Sequence, residues 1–335
     1  TMILLEVHNR IVEQAVRSQI EAPEGKREIV DIKCSDFDGV LYHVVSDREG
    51  GNLNVSLMWG CADQLWEQGA WEDLQKIYGN YLLNEAESGF NVTLSLNFAS
   101  LPADEKERNE IPMKFALLKR NMFAAAFQRC FDQVNQGQQA APIAIDYRIG
   151  SETVYIISGK EGVTVIFAVG FENEGDQVLS KIFLQEFSEA RRVVRGAPAV
   201  RFAEREPPLE IANLPGVEAN PDGNISYVSF VLFSHHIDAK NAYSTISNIQ
   251  MFRNYLHYHL KCSKAYMHAR MRKRVDSLLQ VLNRARPPPF EPRQKKTIQG
   301  KTFNRADAGG SAAPGGGRGR GRARGGGRAF GRGRG

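Results

Sequence analysis

The hydrophobic positions change period several times along the chain. Leu4, Leu5, Ile11, Val12, Ala15 and Val16 share one helical face, with Arg10, Glu13 and Gln14 off it, which predicts an amphipathic opening helix. Strand-like runs follow at 37–45, 53–59 and 90–98. In the last, Val92, Leu94, Leu96 and Phe98 alternate onto one side. Residues 62–78 read as a helix with Leu65, Trp66, Leu74 and Ile77 inward. The charged stretch 102–112, with a proline at each end, predicts a junction. A helix over 113–134 carries Phe115, Leu118, Met122, Phe123, Ala126 and Phe127. Strand patterns resume at 143–147, 154–157, 163–171 and 178–187. The turns between them hold Gly150-Ser151, Gly159-Lys160 and Gly175-Asp176, as antiparallel hairpins require. A proline-containing stretch, 197–221, precedes a last strand at 225–233. This order is not a strict βαβ alternation. It predicts an α+β fold with two related antiparallel sheet-plus-helix domains.

The C-terminal pattern departs from that of an ordinary domain. After Asp238, a fair N-cap, no glycine or proline appears until Pro287-Pro288-Pro289 forbids continuation. About 48 residues of helix, roughly 70 Å, are predicted. Ile246, Ile249, Leu256, Leu260, Met267, Met271, Leu278 and Leu282 form one stripe, much of it at an eleven-residue interval. Arg253, Lys264 and Arg274 interrupt its arc. A second apolar face (Phe252, Tyr255, Cys262, Tyr266) has no counterpart after Ala269. A sheet of four or five strands is about 20 Å across, so one domain cannot cover a stripe of about 54 Å. The overhang predicts an interface with another chain.

Charge sharpens this reading. The chain has 335 residues and a net charge of +5. Its first 250 residues hold 22 bases against 35 acids, whereas 251–308 hold 14 against 3. An acidic body is thus followed by a basic third, which predicts an acidic partner surface or nucleic acid. Lys261, Lys264, Arg270, Arg272, Lys273 and Arg274 lie on the helix, and Arg293, Lys295 and Lys296 beyond it. Residues 309–335 hold 13 glycines and 7 arginines, which predicts a disordered tail. Arg-Gly tracts bind RNA by charge and guanidinium stacking, so RNA is a candidate partner and RNA binding the alternative function.

Other chemistry finds little support. Cys34, Cys61, Cys130 and Cys262 show no pairing spacing, which fits a reducing compartment. The sequons at Asn54, Asn91 and Asn224 lie in strand-like runs and read as chance matches. Gly300-Lys301-Thr302 ends like a phosphate loop, but Lys295 stands where the first glycine is required. His235, His236, His257, His259, Cys262 and His268 suggest metal, yet only His259 and Cys262 share a helical spacing suited to ligation. Cys262 has no matched base for nucleophilic catalysis. No enzyme, cofactor, metal site or membrane span is expected.

Five segments carry a family resemblance. They are Asp36-Phe37-Asp38-Gly39-Val40-Leu41-Tyr42-His43, Glu206-Pro207-Pro208-Leu209-Glu210, the run from His257 through Leu260, Lys261 and Cys262 to Tyr266, Val281-Leu282-Asn283-Arg284-Ala285-Arg286-Pro287, and Gly300-Lys301-Thr302-Phe303. Together they closely resemble subunit 2 of the actin-related protein 2/3 complex, from Met2 to about Arg305. The resemblance implies a scaffold with two related α/β domains in a seven-subunit assembly that nucleates actin branches. It implies that the long helix packs on a matching helix of subunit 4, that this core clamps the two actin-related subunits, and that the chain touches the side of the mother filament. It places the chain in the cytoplasm and cytoskeleton, at the cortex and cell projections. Actin is acidic, so Arg191 and Arg192 join the basic positions above as expected contacts. The expected divisions are 1–125 and 126–238 for the two domains, 239–286 for the helix, 287–308 for a basic extension and 309–335 for the tail. That tail goes beyond the family pattern.

Overall fold

The computed structural model describes residues 5–23, 25–47, 51–159, 162–171, 173–190, 193–194, 196–204, 206–217, 224–285, 295–296 and 302–303. The chain divides into two units, Thr1–His268 and Ala269–Gly335.

The first unit opens with α1 (Arg10–Glu21), which buries Val12, Ala15, Val16 and Gln19. It starts later than the apolar pattern suggested, because Asn9 caps it: the Asn9 side chain accepts from the amides of Ile11 and Val12 at 3.0 and 3.2 Å. Four antiparallel strands follow in sequence order: β1 (Asp31–Ser35), β2 (Leu41–Ser46), β3 (Asn52–Met58) and β4 (Val92–Asn97). The register sets Val44 opposite Val55 and Val55 opposite Leu94, a row that is wholly buried. The helical stretch after β3 is two helices, α2 (Ala62–Glu67) and α3 (Ala70–Tyr78). They part at Gly69, whose φ of +86° suits glycine best.

The expected junction at 102–112 lies largely in a helix. Asp104 accepts from the Lys106 amide and starts α4 (Glu105–Ala116). Its charges face solvent on the first turns, and Pro112 is accommodated near its end. Next, α5 (Leu118–Asn135) buries eleven side chains, because it packs on α3 and also beneath the second sheet.

That sheet has the order β5-β6-β7-β9-β8, antiparallel at every pairing: β5 (Ile143–Arg148), β6 (Glu152–Ser158), β7 (Gly162–Gly170), β8 (Ala199–Glu204) and β9 (Ile225–Phe233). Two expectations are corrected here. Residues 178–187 are not a strand but part of α6 (Glu174–Ala190), and the stretch 197–221 contains β8. In α6, Leu179, Phe183 and Phe187 recur every fourth residue and pack on the core, while Val178 and Ile182 stay exposed. That is a helical repeat, and the β-branched residues that suggested a strand lie on its wet side. One continuous core joins both sheets, α1, α5 and the first half of the last helix. Aromatic rings lock its centre: Phe252 lies 4.7 Å from Phe230 and 5.5 Å from Phe167.

A short turn, α7 (Ser234–Ile237), leads into α8 (Ala242–Arg284). Its 43 residues begin later than the expected start after Asp238. Asp238 still caps the turn that leads into it: its side chain accepts from the Asn241 amide at 2.8 Å and its carbonyl accepts from the Ala242 amide at 2.8 Å. Within the second unit, Lys295–Lys296 (β10) pairs with Thr302–Phe303 (β11).

Candidate functional site

The apolar stripe of α8 changes character along its length. Ile246, Ile249, Leu256 and Leu260 are buried in the chain's own core. Met267, Met271, Leu278 and Leu282 are 37%, 61%, 58% and 56% exposed, and Val275 beside them is 52% exposed. From Ala265 to Ala285 every described residue is exposed. The spacing of these five apolar positions (four, four, three, four) keeps them within about 80° of one helical face. They form a seam that no described residue of the chain covers.

The basic residues scatter around this seam. Lys261, Arg270, Arg272, Lys273 and Arg274 are exposed. Lys264 is engaged with the chain itself, 2.8 Å from Asp176 and 3.2 Å from the Asn173 side-chain oxygen. Arg191, Arg192 and Arg293 lie outside the described residues, as do the side chains of Lys295 and Lys296.

Arg253, which interrupted the apolar arc, proves central. It is only 5% exposed. Its Nε and Nη2 donate to the two Glu152 oxygens at 2.7 and 2.8 Å, and its Nη1 donates to the Phe37 carbonyl at 2.8 Å. Asp38 lies 3.6 Å away and is also held by Lys119. Burial works against the charged Asp38 carboxylate, but Lys119 and Arg253 outweigh it and hold its pKa below the ordinary range. One helix residue thereby ties α8 to the loop before β2 and to β6. The signal in the sequence was a charge placed among apolar neighbours.

His257, His259 and His236 are packed into their surroundings, whereas His235, its ring 3.8 Å from that of His236, and His268 are exposed. His257 lies 5.5 Å from the Phe171 ring, and His259 lies 5.8 Å from Phe183. His236 takes the Phe233 amide and meets the Gly196 carbonyl at 2.9 Å. All four cysteines are free thiols. No helix among the described residues is long and apolar enough to cross a membrane.

His257 makes a pH prediction. Burial, with help from Arg253, pushes its pKa down to about 4. The unfolded imidazole takes its proton near 6.5, so the fold loses stability progressively as pH falls from about 6.5 to about 4. His257→Gln should flatten the melting temperature over that window. An unchanged slope would remove His257 from the account.

A long helix whose apolar side is left bare by the described residues is the kind of surface found in subunits of larger assemblies. The chain belongs to the family of the Arp2/3 complex 34 kD subunit, p34-Arc, whose family model matches residues 55–289. The actin-related protein 2/3 complex subunit 2 of Dictyostelium discoideum is 41% identical over 306 residues, covering 91% of this chain and all of that one. The protein of the same name from Schizosaccharomyces pombe is 39% identical over 297 residues, covering 83% of this chain and 92% of its own.

Proposed function

We propose that the chain is a non-enzymatic scaffold subunit of the Arp2/3 complex, acting in branched actin nucleation in the cytoskeleton. The second half of α8 pairs with a matching helix of subunit 4, and the core so formed clamps the two actin-related subunits. Basic positions then face the side of the mother filament. The observation that carries this reading is the bare seam of Met267, Met271, Leu278 and Leu282 in a chain of this family. Ile246, Ile249, Leu256 and Leu260 support the seam from within rather than meet the partner, since the chain's own core covers them. Of the basic positions, Arg272, Lys273 and Arg274 are exposed on the turns that carry the seam, Arg274 beside it and Lys273 on the opposite side. Exposed charges of this kind act through encounter rate and salt dependence more than through packing. Arg191, Arg192, Arg293, Lys295 and Lys296 complete the proposed filament contact.

The Arg-Gly tract at 309–335 supports a second reading, RNA binding, through its seven arginines and absence of acids. Deleting 309–335 separates the two. The scaffold reading expects a complex reconstituted with the shortened chain to branch actin at an unchanged rate. A collapse of branching together with loss of salt-sensitive RNA binding would favour the tail-led reading. Identification of the chains that co-purify from native extract tests membership directly, with subunit 4 expected in equal amount.

A further inference from the structure

A groove of about 790 Å³ lies within the first unit, between α8 and the ends of β6, β7 and β9. Arg148, Glu152, Asn254, His257 and Lys261 line it, with Phe37 at its rim. We propose that this groove seats an extended acidic segment of a partner protein, anchored by an apolar side chain against Phe37.

Three independent observations converge on that occupant. The first is unspent positive charge. Glu152 is taken by both nitrogens of Arg253 and by the Tyr147 hydroxyl, and Asp176 is taken by Lys264. Arg148 approaches a carboxylate oxygen no closer than 4.0 Å, and Lys261 has no ion pair among the described residues. Two cations therefore face the groove with no counter-charge closer than 4.0 Å among the described residues.

The second is a pair of orphaned polar atoms. Asn254 Oδ1 and His257 Nε2 are buried without a hydrogen-bond partner. Buried polar groups are nearly always satisfied, and leaving one unpaired costs roughly 1–3 kcal/mol. Asn254 lines the groove, and turning its amide outward would bring that oxygen to a backbone amide of an extended segment.

The third is Phe37. Its ring is 67% exposed while its backbone is held fast. The Phe37 carbonyl accepts from Arg253 at 2.8 Å and from Arg148 at 3.4 Å. Asp36 accepts from the amides of Asp38 and Val40 at 2.9 and 3.0 Å, closing the loop from both sides. An aromatic side chain presented on a backbone already held in place costs less ordering on contact, which is the property of an interface anchor. A small anion would satisfy Arg148 and Lys261 but leave Phe37 bare. A segment with both a carboxylate and an apolar side chain meets all three features.

The test uses the assembled complex that contains this chain. A fluorescein-labelled hexapeptide of alternating glutamate and leucine is titrated by anisotropy, alongside a lysine-leucine counterpart. The acidic peptide should bind, weaken steeply with salt, and lose about tenfold or more in affinity with the double change Arg148→Glu and Lys261→Glu. Phe37→Ala, which removes only an exposed ring, should weaken binding without lowering the melting temperature. In parallel, p-benzoylphenylalanine placed at position 37 should cross-link to an acidic segment, including one from a neighbouring subunit already seated there. Equal binding of the lysine peptide, or competition by inorganic phosphate at the concentration of the unlabelled peptide, overturns the proposal. So does a cross-link to a basic or uncharged segment, or the absence of both binding and cross-linking.

Discussion

Replacing Arg253 with methionine is expected to lower the stability of the fold by about 3–5 kcal/mol. The side chain is almost fully buried and makes a two-pronged bond to Glu152. Methionine keeps much of the apolar stem but removes every donor. Glu152, 4% exposed, would be left charged beside the Tyr147 hydroxyl, and the Phe37 carbonyl would lose its shortest partner. Asp38 would keep Lys119 and the weaker contact from Asn254. The damage comes from stranding these groups rather than from losing a favourable pair, since a buried ion pair is roughly balanced by its own desolvation. A compensating change should therefore recover stability. Arg253→Met with Glu152→Gln should melt higher than Arg253→Met alone. The measurement is the urea midpoint of the assembled protein, together with amide exchange in β6 and α8. A midpoint unmoved by Arg253→Met would show that the network contributes nothing.

The second large effect concerns assembly and leaves the fold intact. Met271→Asp with Leu278→Asp should expel the chain from the complex, with at least a hundredfold loss of affinity for its helix partner. Burying each of these side chains is worth about 1.5–3 kcal/mol, and a carboxylate forced into the same seam adds a desolvation penalty. A hundredfold corresponds to about 2.7 kcal/mol, so two such changes exceed it comfortably. Both positions are more than half exposed in the single chain, so the core around Leu256 and Leu260 should be untouched. Lys273→Glu, on a different side of the same turns, should leave assembly intact. Size-exclusion chromatography of the co-expressed subunits reads all three. Full assembly by the double variant would mean that the seam is not the contact.

The alternating strands and the long helix could be read from the sequence because their apolar positions carry one clear period. The strands β3, β4, β6, β7 and β9 each appear close to where alternation placed them. The failures have separate physical causes. The edge strand β1 is nearly all exposed, so no buried face marks it. The helix α6 mixes β-branched residues on its wet side with a correct helical repeat inside, and composition outvoted spacing. Within 102–112 the prolines hid a helix that Asp104 capped. On α8 the sequence predicted the stripe and, through a second apolar face that ends before Ala269, roughly where the chain's own core stops covering it. That limit depends on α5 and the second sheet, which lie far away in sequence. Arg253 was visible only as an interruption, because its partners Glu152 and Asp38 lie 101 and 215 positions earlier.

The bare seam also bears on abundance. A copy of this chain without its partner keeps five apolar residues in water along one line. Such a surface is what aggregation and cellular quality control both act on. Partner binding removes that surface by mass action. Surplus copies should then be short-lived, and the steady level of the chain should follow the supply of its partner rather than its own rate of synthesis. If the proposed helix pairing holds, the same helix would in this way also keep the subunits in proportion.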